Sequence, residues 1–109
     1  MKHNNIIDLL QVRCNKQFGE DFIEYREYDY DIGKIHGEMD YGLKRIDGKY
    51  AIVFEVKSHD SYKGRAKAKQ QINKDLRYFK KIEGVEKVFK FYVHSDHTDM
   101  NYDLERILQ

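Results

Sequence analysis

The most continuous apolar run in the chain surrounds two charged side chains. The segment Ala-Ile-Val-Phe-Glu-Val-Lys-Ser, residues 51–58, predicts a strand that passes through the core. Because successive side chains of a strand point to opposite faces, Glu55 and Lys57 share one face. Charged residues are seldom buried without a partner, so the pattern indicates that another charged group lies nearby.

The strand-like run before it supplies a candidate partner. It covers about residues 38–45 and leads into Asp47-Gly48, a dipeptide typical of a two-residue hairpin turn. If these two residues form the turn, Asp40 lies directly opposite Glu55 on the neighbouring strand. The same register brings only apolar residues together on the other face, where Tyr41 meets Phe54 and Leu43 meets Ile52.

Helical and strand periods place the other elements. We predict a helix from residue 4 or 5 to Gly19, a strand over 22–29, a loop over 31–37, and a helix over 65–82 that ends at Gly84. A strand over 87–94 and a short helix over about 100–108 complete the chain. The expected core stripes of the two long helices are Ile6, Leu9, Leu10, Val12 and Phe18, and Ala68, Ile72, Leu76, Phe79 and Ile82.

The order of these elements predicts the fold class. Since a helix separates the strand over 50–58 from the strand over 87–94, we expect the two to pair in parallel through a right-handed crossover. The prediction is therefore an α/β fold of order αβββαβα, with a central mixed sheet flanked by helices.

Length and composition limit the classes of protein. The 109 residues suffice for one domain, spanning residues 1–109, and no run is long enough to cross a membrane. The N-terminal residues do not have the pattern of a signal peptide. One cysteine, Cys14, excludes an internal disulfide and is expected to be a small buried residue. We therefore expect an intracellular, cytoplasmic protein without a membrane partner.

The basic residues are concentrated in one part of the chain. The net charge is only +1, but residues 57–81 contain nine Lys or Arg and two Asp. A basic helix that begins beside a carboxylate pair is a plausible contact for a phosphate backbone. The side chains predicted to bind nucleic acid are Lys63, Arg65, Lys67, Lys69, Lys74 and Arg77.

The pairing of Asp40 with Glu55 suggests a divalent cation. Directly opposed Cβ atoms of neighbouring strands are about 4.5–5.5 Å apart, and like charges at that distance repel. Mg²⁺ prefers oxygen ligands and retains several waters, so two carboxylates form a minimal open site for Mg²⁺ or Mn²⁺. Such an ion stabilises charge on a phosphodiester in the transition state and makes water a better nucleophile.

An Asp, then fourteen residues, then Glu-Val-Lys between an apolar strand and a helix resembles the PD-(D/E)xK nuclease superfamily. The likeness covers about residues 5–94, and the short length is most similar to small archaeal Holliday-junction resolvases. It implies a restriction-endonuclease-like αβββαβ core and a metal-dependent DNA endonuclease. Where the superfamily often has proline before the aspartate, this chain has Met39.

The resemblance also implies roles for individual residues. Asp40 and Glu55 become metal ligands, helped by the Val56 carbonyl, and Lys57 becomes the catalytic lysine. Two further roles are an acid from the first helix, for which we select Asp8, and a glutamine in the following helix, for which we select Gln71. A junction-cutting enzyme makes two coordinated cuts, so this version implies a homodimer acting on branched DNA.

Simpler interpretations stay open for the same residues. In the predicted register Glu38 faces Lys57, so the lysine could be a structural ion-pair partner. Asp40 and Glu55 could also be solvated carboxylates at a sheet edge. The alternative functions are a catalytically inactive nucleic-acid-binding module of the same fold and an unrelated small α/β interaction protein.

Overall fold

A four-stranded mixed sheet separates two helical layers. The computed structural model describes residues 3–59 and 61–94. Its elements are α1 His3–Phe18, β1 Phe22–Ile32, β2 Ile35–Arg45, β3 Tyr50–Lys57, α2 Tyr62–Arg77 and β4 Lys87–His94, with a 3₁₀ turn at Gly19–Asp21 and a π-helical turn at Tyr78–Ile82. Neither long helix has the apolar length needed to span a bilayer, in the part of the chain described.

The predicted α/β class and the order αβββαβ are confirmed. The strands lie in the order β1-β2-β3-β4. β2 is antiparallel to both β1 and β3, and β4 is parallel to β3, as expected from the intervening helix. The helix predicted over 100–108 lies outside the described residues.

The connection between β2 and β3 preserves the predicted register. Tyr41 pairs with Phe54 and Leu43 with Ile52, as predicted. The connection is longer than the expected two residues, because β2 ends at Arg45 and β3 begins at Tyr50, and the Gly48 N–H donates to the Arg45 carbonyl at 2.9 Å. Gly48 has φ of 75°, a left-handed conformation that glycine adopts without a Cβ clash. The predicted register is therefore confirmed, but the pairing ends at Tyr41 and Phe54 and does not extend to Asp40 and Glu55.

Each face of the sheet carries its own apolar core. On the α1 side the buried residues are Ile6, Ile7, Leu10, Cys14, Tyr41, Leu43, Ile52, Phe54, Val56 and Val93. On the α2 side they are Tyr25, Tyr30, Met39, Ala51, Val53, Ile72, Tyr78, Phe79 and Val85. Cys14 is buried, as predicted.

The predicted stripe of α1 was wrong at two positions. Leu9 and Val12 are 41% and 65% exposed. Ile7 and Cys14 are buried in their place, because the apolar stripe Ile6, Ile7, Leu10 and Cys14 follows the three- and four-residue steps of a helix.

The second helix also differs from its prediction at both ends. It begins at Tyr62, because the Ser61 hydroxyl accepts the Gly64 N–H at 2.9 Å and caps the first turn. At the other end, the π-helical turn has more residues per turn than an α-helix and therefore rotates the following side chains away from the α-helical stripe. Ile82, predicted to lie in the core, is 57% exposed. Leu76 is only partly buried, and its neighbour Asp75 is fully buried.

The loop predicted over 31–37 was wrong. β1 and β2 instead run through this region as a hairpin, in which Ile32 pairs with Ile35 across a two-residue turn. Gly33 has φ of 61° and supplies the left-handed conformation that the turn needs. The dipeptide Gly33-Lys34 is a weaker hairpin signal than Asp47-Gly48, and the polar residues around it were interpreted as a loop.

Side-chain alternation in β1 and β2 changes phase at one point. Tyr25, Tyr28 and Tyr30 all contact rings on the α2 side, although strict alternation from Tyr25 would send both Tyr28 and Tyr30 to the other face. The change falls at Glu27, whose φ of 46° is left-handed, and the pair Glu27 and Asp40 is missing from an otherwise continuous β1–β2 register. Asp40 therefore lies at a local irregularity of the sheet.

Gly37 provides a test of how tightly this region packs. A Cβ at Gly37 would overlap the Tyr30 ring, which stacks over the strand at that position. We expect Gly37→Ala to lower the free energy of unfolding by about 1–3 kcal/mol, measured by urea denaturation. In a Tyr30→Ala background the same change should have little effect, and an equal loss in both backgrounds would contradict the packing.

Candidate carboxylate site

Asp40 and Glu55 lie together where the pairing of β2 with β3 ends. The last pair in the register is Tyr41 with Phe54, although both strands continue beyond it. Asp40 turns its carboxylate toward β3, and its Oδ2 accepts the Val56 N–H at 2.8 Å. The two acids are only 8% and 4% exposed, so they are not solvated edge carboxylates.

The pKa of Glu55 reports how unfavourable this pairing is for two negative charges. It is raised to about 9, chiefly by burial and also by the charge of Asp40 and a hydrogen bond between the two carboxyls. The positive charge of Lys57 acts in the opposite direction. Near neutral pH the carboxyl pair therefore holds a proton, in line with the repulsion expected between adjacent carboxylates.

Lys57 belongs to the carboxylate pair. Its Nζ lies 3.6 Å from Glu55 Oε1, and its side chain is 32% exposed. Glu38, the alternative partner, is exposed and faces Asp29 of β1, because the β2–β3 pairing stops before it reaches Lys57. The lysine thus contacts the buried acid and still reaches solvent.

A second polar cluster adjoins the pair and includes a buried acid that sequence reasoning missed. Asp75 of α2 is completely buried, and its Oδ1 accepts hydrogen bonds from the Tyr30 hydroxyl and from Gln71 Nε2, the latter at 2.9 Å. Gln71 also donates to the Tyr30 hydroxyl at 3.2 Å. Gln71 therefore reaches the sheet surface, as its border position on the helix predicted, whereas Gln70 is exposed.

Asp75 is electrostatically linked to the pair. Its pKa is raised to about 7, chiefly by burial and also by the charge of Asp40, while the hydrogen bonds from Tyr30 and Gln71 act in the opposite direction. Asp75 in turn raises the pKa of Glu55. A sequence signal did exist: an acid lies between Ile72 and Phe79 at the helical spacing of the core stripe.

The first helix sends a different residue to the site than the resemblance implied. Asp8 is exposed, and its Oδ1 lies 2.6 Å from Arg26 Nη2 on β1. His3, at the start of α1, instead lies with Nε2 3.4 Å from Asp40 Oδ2. Asp8 therefore pairs with Arg26 of β1 and does not reach the carboxylate pair.

The donors present fit a small open cation site. Glu55 Oε2 is buried and makes no hydrogen bond within the described residues, and carboxylate oxygens are the ligands that Mg²⁺ prefers. No cluster of three or more metal-binding side chains occurs in residues 3–59 and 61–94, so the protein would supply chiefly Asp40 and Glu55. The Val56 peptide adjoins Asp40 through its N–H, and a role for its carbonyl stays a prediction.

The predicted nucleic-acid-binding residues spread around α2. Lys67 and Lys74 share the side of the helix that carries Gln71, because these positions are separated by about whole turns. Arg65 and Lys69 line a groove between α2 and β4. Lys63 and Arg77 are exposed near the two ends of the helix.

Comparison with known protein families, curated proteins and solved structures finds no match to this chain.

The charge state of the pair predicts how stability depends on pH. The folded pKa of Glu55, about 9, lies above its ordinary value of 4.5, so the folded protein holds a proton that the unfolded chain releases between these pH values. The free energy of unfolding should therefore fall as the pH rises through this window. Asp75 adds to the same trend only up to its pKa of about 7.

We expect Glu55→Gln to weaken the loss of stability between pH 7 and 9, measured by thermal unfolding in a metal chelator. At pH 9 the substitution removes the cost of burying a charged Glu55, and the melting temperature should rise by about 4–8 °C for each kcal/mol gained in the free energy of unfolding. Glu38→Gln, an exposed change on the same hairpin, should retain the wild-type pH dependence. An unchanged slope in Glu55→Gln would contradict the raised pKa.

Proposed function

We propose that the protein is a divalent-metal-dependent endonuclease that hydrolyses phosphodiester bonds in DNA, including branched DNA. The observation that carries the proposal is the close contact of Asp40 and Glu55 in a nearly dry site, with Lys57 3.6 Å from Glu55. An arrangement that opposes its own ionisation lowers stability, and such arrangements concentrate at functional sites.

The carboxylates support the proposal because a cation relieves their repulsion. Asp40 and Glu55 would hold Mg²⁺ or Mn²⁺, and the Val56 N–H fixes the orientation of Asp40 before binding. When bound, the ion would polarise the phosphate and activate water for hydrolysis. Glu55 must release its proton to become a ligand, so affinity for the ion should increase with pH.

Lys57 contributes a partly exposed positive charge at the edge of the pair. Its partly exposed ammonium group can approach a phosphate from the solvent side while Glu55 holds it near the site. There it would orient the attacking water, take up its proton, or offset charge on the phosphate. Gln71, fixed by Asp75 and Tyr30, would line the adjoining side.

The basic side chains of α2 support a polyanionic substrate. The residues predicted to contact DNA occur along the helix that follows the site, so phosphates on either side of the cleaved bond would meet positive charge. A branched substrate needs two symmetric cuts, and for that substrate the proposal includes a homodimer.

Cleavage assays with Mg²⁺ or Mn²⁺ test the proposal on branched, duplex and single-stranded DNA. We expect Asp40→Asn, Glu55→Gln and Lys57→Met each to lower the rate by at least about 100-fold, because each removes a ligand or a proton-transfer group. Glu38→Gln should cleave like the wild type, since this exposed acid lies two residues from Asp40 but outside the pair. Asp8→Asn should also retain activity, given its pairing with Arg26.

The outcomes separate the three classes of function. Absence of metal-dependent cleavage on all substrates, or wild-type cleavage by Glu55→Gln, would reject the nuclease. Salt-sensitive DNA binding without cleavage would favour the inactive nucleic-acid-binding module. Absence of both activities would favour an unrelated interaction protein.

A further inference from the structure

A groove of about 410 Å³ lies between α2 and β4, beside the carboxylate site. This volume is within the range of about 300–1,000 Å³ common for small-molecule sites. Its lining residues are Arg65, Ala68, Lys69, Ile72, Asn73, Lys90 and Tyr92.

The groove lies on the flank of α2 that faces β4, and the cluster of Gln71 and Asp75 lies on the opposite flank. Gln71 and Asp75 face the Tyr30 side of α2, whereas Lys69 and Asn73 face β4. Between the two flanks, Ala68 and Ile72 are buried beneath the helix, and both also line the groove.

The lining combines an apolar floor with positive charge. Ala68 and Ile72 form the apolar part, and Lys69, Lys90 and Arg65 contribute the charge. Tyr92 adds an aromatic ring and Asn73 an amide, and no acidic side chain belongs to the lining given above. This chemistry suits a ligand that has a flat, weakly polar part and a negative charge, as a nucleotide has.

The register of the sheet fixes where such a ligand would lie. Tyr92 of β4 is the parallel partner of Glu55 of β3, and neighbouring strands are about 4.8 Å apart. Two residues before Tyr92 on β4, Lys90 pairs with Val53 and places a positive charge on the same face of the sheet. A base held in the groove would therefore belong to a nucleotide adjacent to a phosphate at Glu55.

We propose that the groove holds one unpaired nucleotide of a DNA strand, its base against Tyr92 and Ile72 and its phosphate against Lys69 and Lys90. The inference rests on the proposed nuclease function and narrows its substrate to DNA with an unpaired nucleotide next to the cleaved bond. A base inside a duplex stays stacked between its neighbours and does not enter such a groove.

Binding measured in a chelator tests this without any cleavage. The probe is a duplex with a single-nucleotide bulge in which the unpaired base is 2-aminopurine, compared with a fully paired duplex of the same length. We expect the full-length protein to bind the bulged duplex about tenfold more tightly, with a change of fluorescence on contact with the aromatic ring.

Variants locate the preference in the groove. Tyr92→Leu and Lys90→Gln should remove most of the tenfold preference, while Tyr92→Phe should keep it because the ring is retained. Tyr62→Leu is the matched control, since this tyrosine is 91% exposed at the start of α2 and outside the groove. If Tyr92→Leu fails to fold, the exposed Lys69→Gln carries the test, with Lys34→Gln in the β1–β2 turn as its control.

Each result decides between this proposal and the nuclease. Equal binding of bulged and paired duplexes, or equal losses on both in the groove variants, would overturn the groove and leave the nuclease standing. A preference for the bulge without metal-dependent cleavage would keep the groove and reject the nuclease. Failure to bind any DNA in the chelator would overturn the groove, and the cleavage assay with metal would decide the nuclease separately.

Discussion

A single hydrogen bond from the Val56 N–H to Asp40 organises the site. At the end of the β2–β3 pairing this bond uses a carboxylate where a regular ladder would use a main-chain carbonyl. The buried N–H is satisfied, and the acid is drawn over β3 toward Glu55. The two carboxyls are close because of that placement, and the charge of Asp40 adds to the rise in the pKa of Glu55 that burial chiefly causes.

The polar cluster beyond the pair holds the helix to the sheet at the same place. Asp75 is 0% exposed, and its partners Tyr30 and Gln71 come from β1 and from its own helix. A buried acid with such partners specifies one arrangement of α2 on the sheet, whereas an apolar contact there would tolerate several. The two buried acids thus have separate effects: Glu55 lowers stability at the site, and Asp75 fixes the geometry around it.

The sequence was informative where short-range geometry decides structure. Asp47-Gly48 specified the hairpin, the hairpin specified which residues face one another, and the helix between β3 and β4 specified parallel pairing. Long-range contacts were not visible in this way. Nothing local to Asp8 indicates that Arg26 holds it, and nothing local to His3 indicates that Asp40 lies beside it.

The residues that a helix buries could be predicted from the sequence to within about one position along the chain. Leu9 and Val12 are as apolar as Ile7 and Cys14, so only the packing against β2 and β3 decides which pair is buried. Asp75 was missed for a related reason, because a charged residue in a core stripe is stable only when distant groups such as Tyr30 complete it. The fold could therefore be predicted from the pattern of apolar and polar residues, whereas the residues that make up the site could be identified only from the structure.

The irregularity at Glu27 has a consequence for the behaviour of the protein at high concentration. β1 is one of the two outer strands of the described sheet and is eleven residues long, a length at which an open edge invites pairing with another chain. The left-handed Glu27 interrupts the even row of main-chain donors and acceptors halfway along that edge. A strand added from a second molecule could match one half of β1 or the other, but not both in one register. The distortion that accompanies Asp40 inside the sheet thereby also protects its outer edge against aggregation.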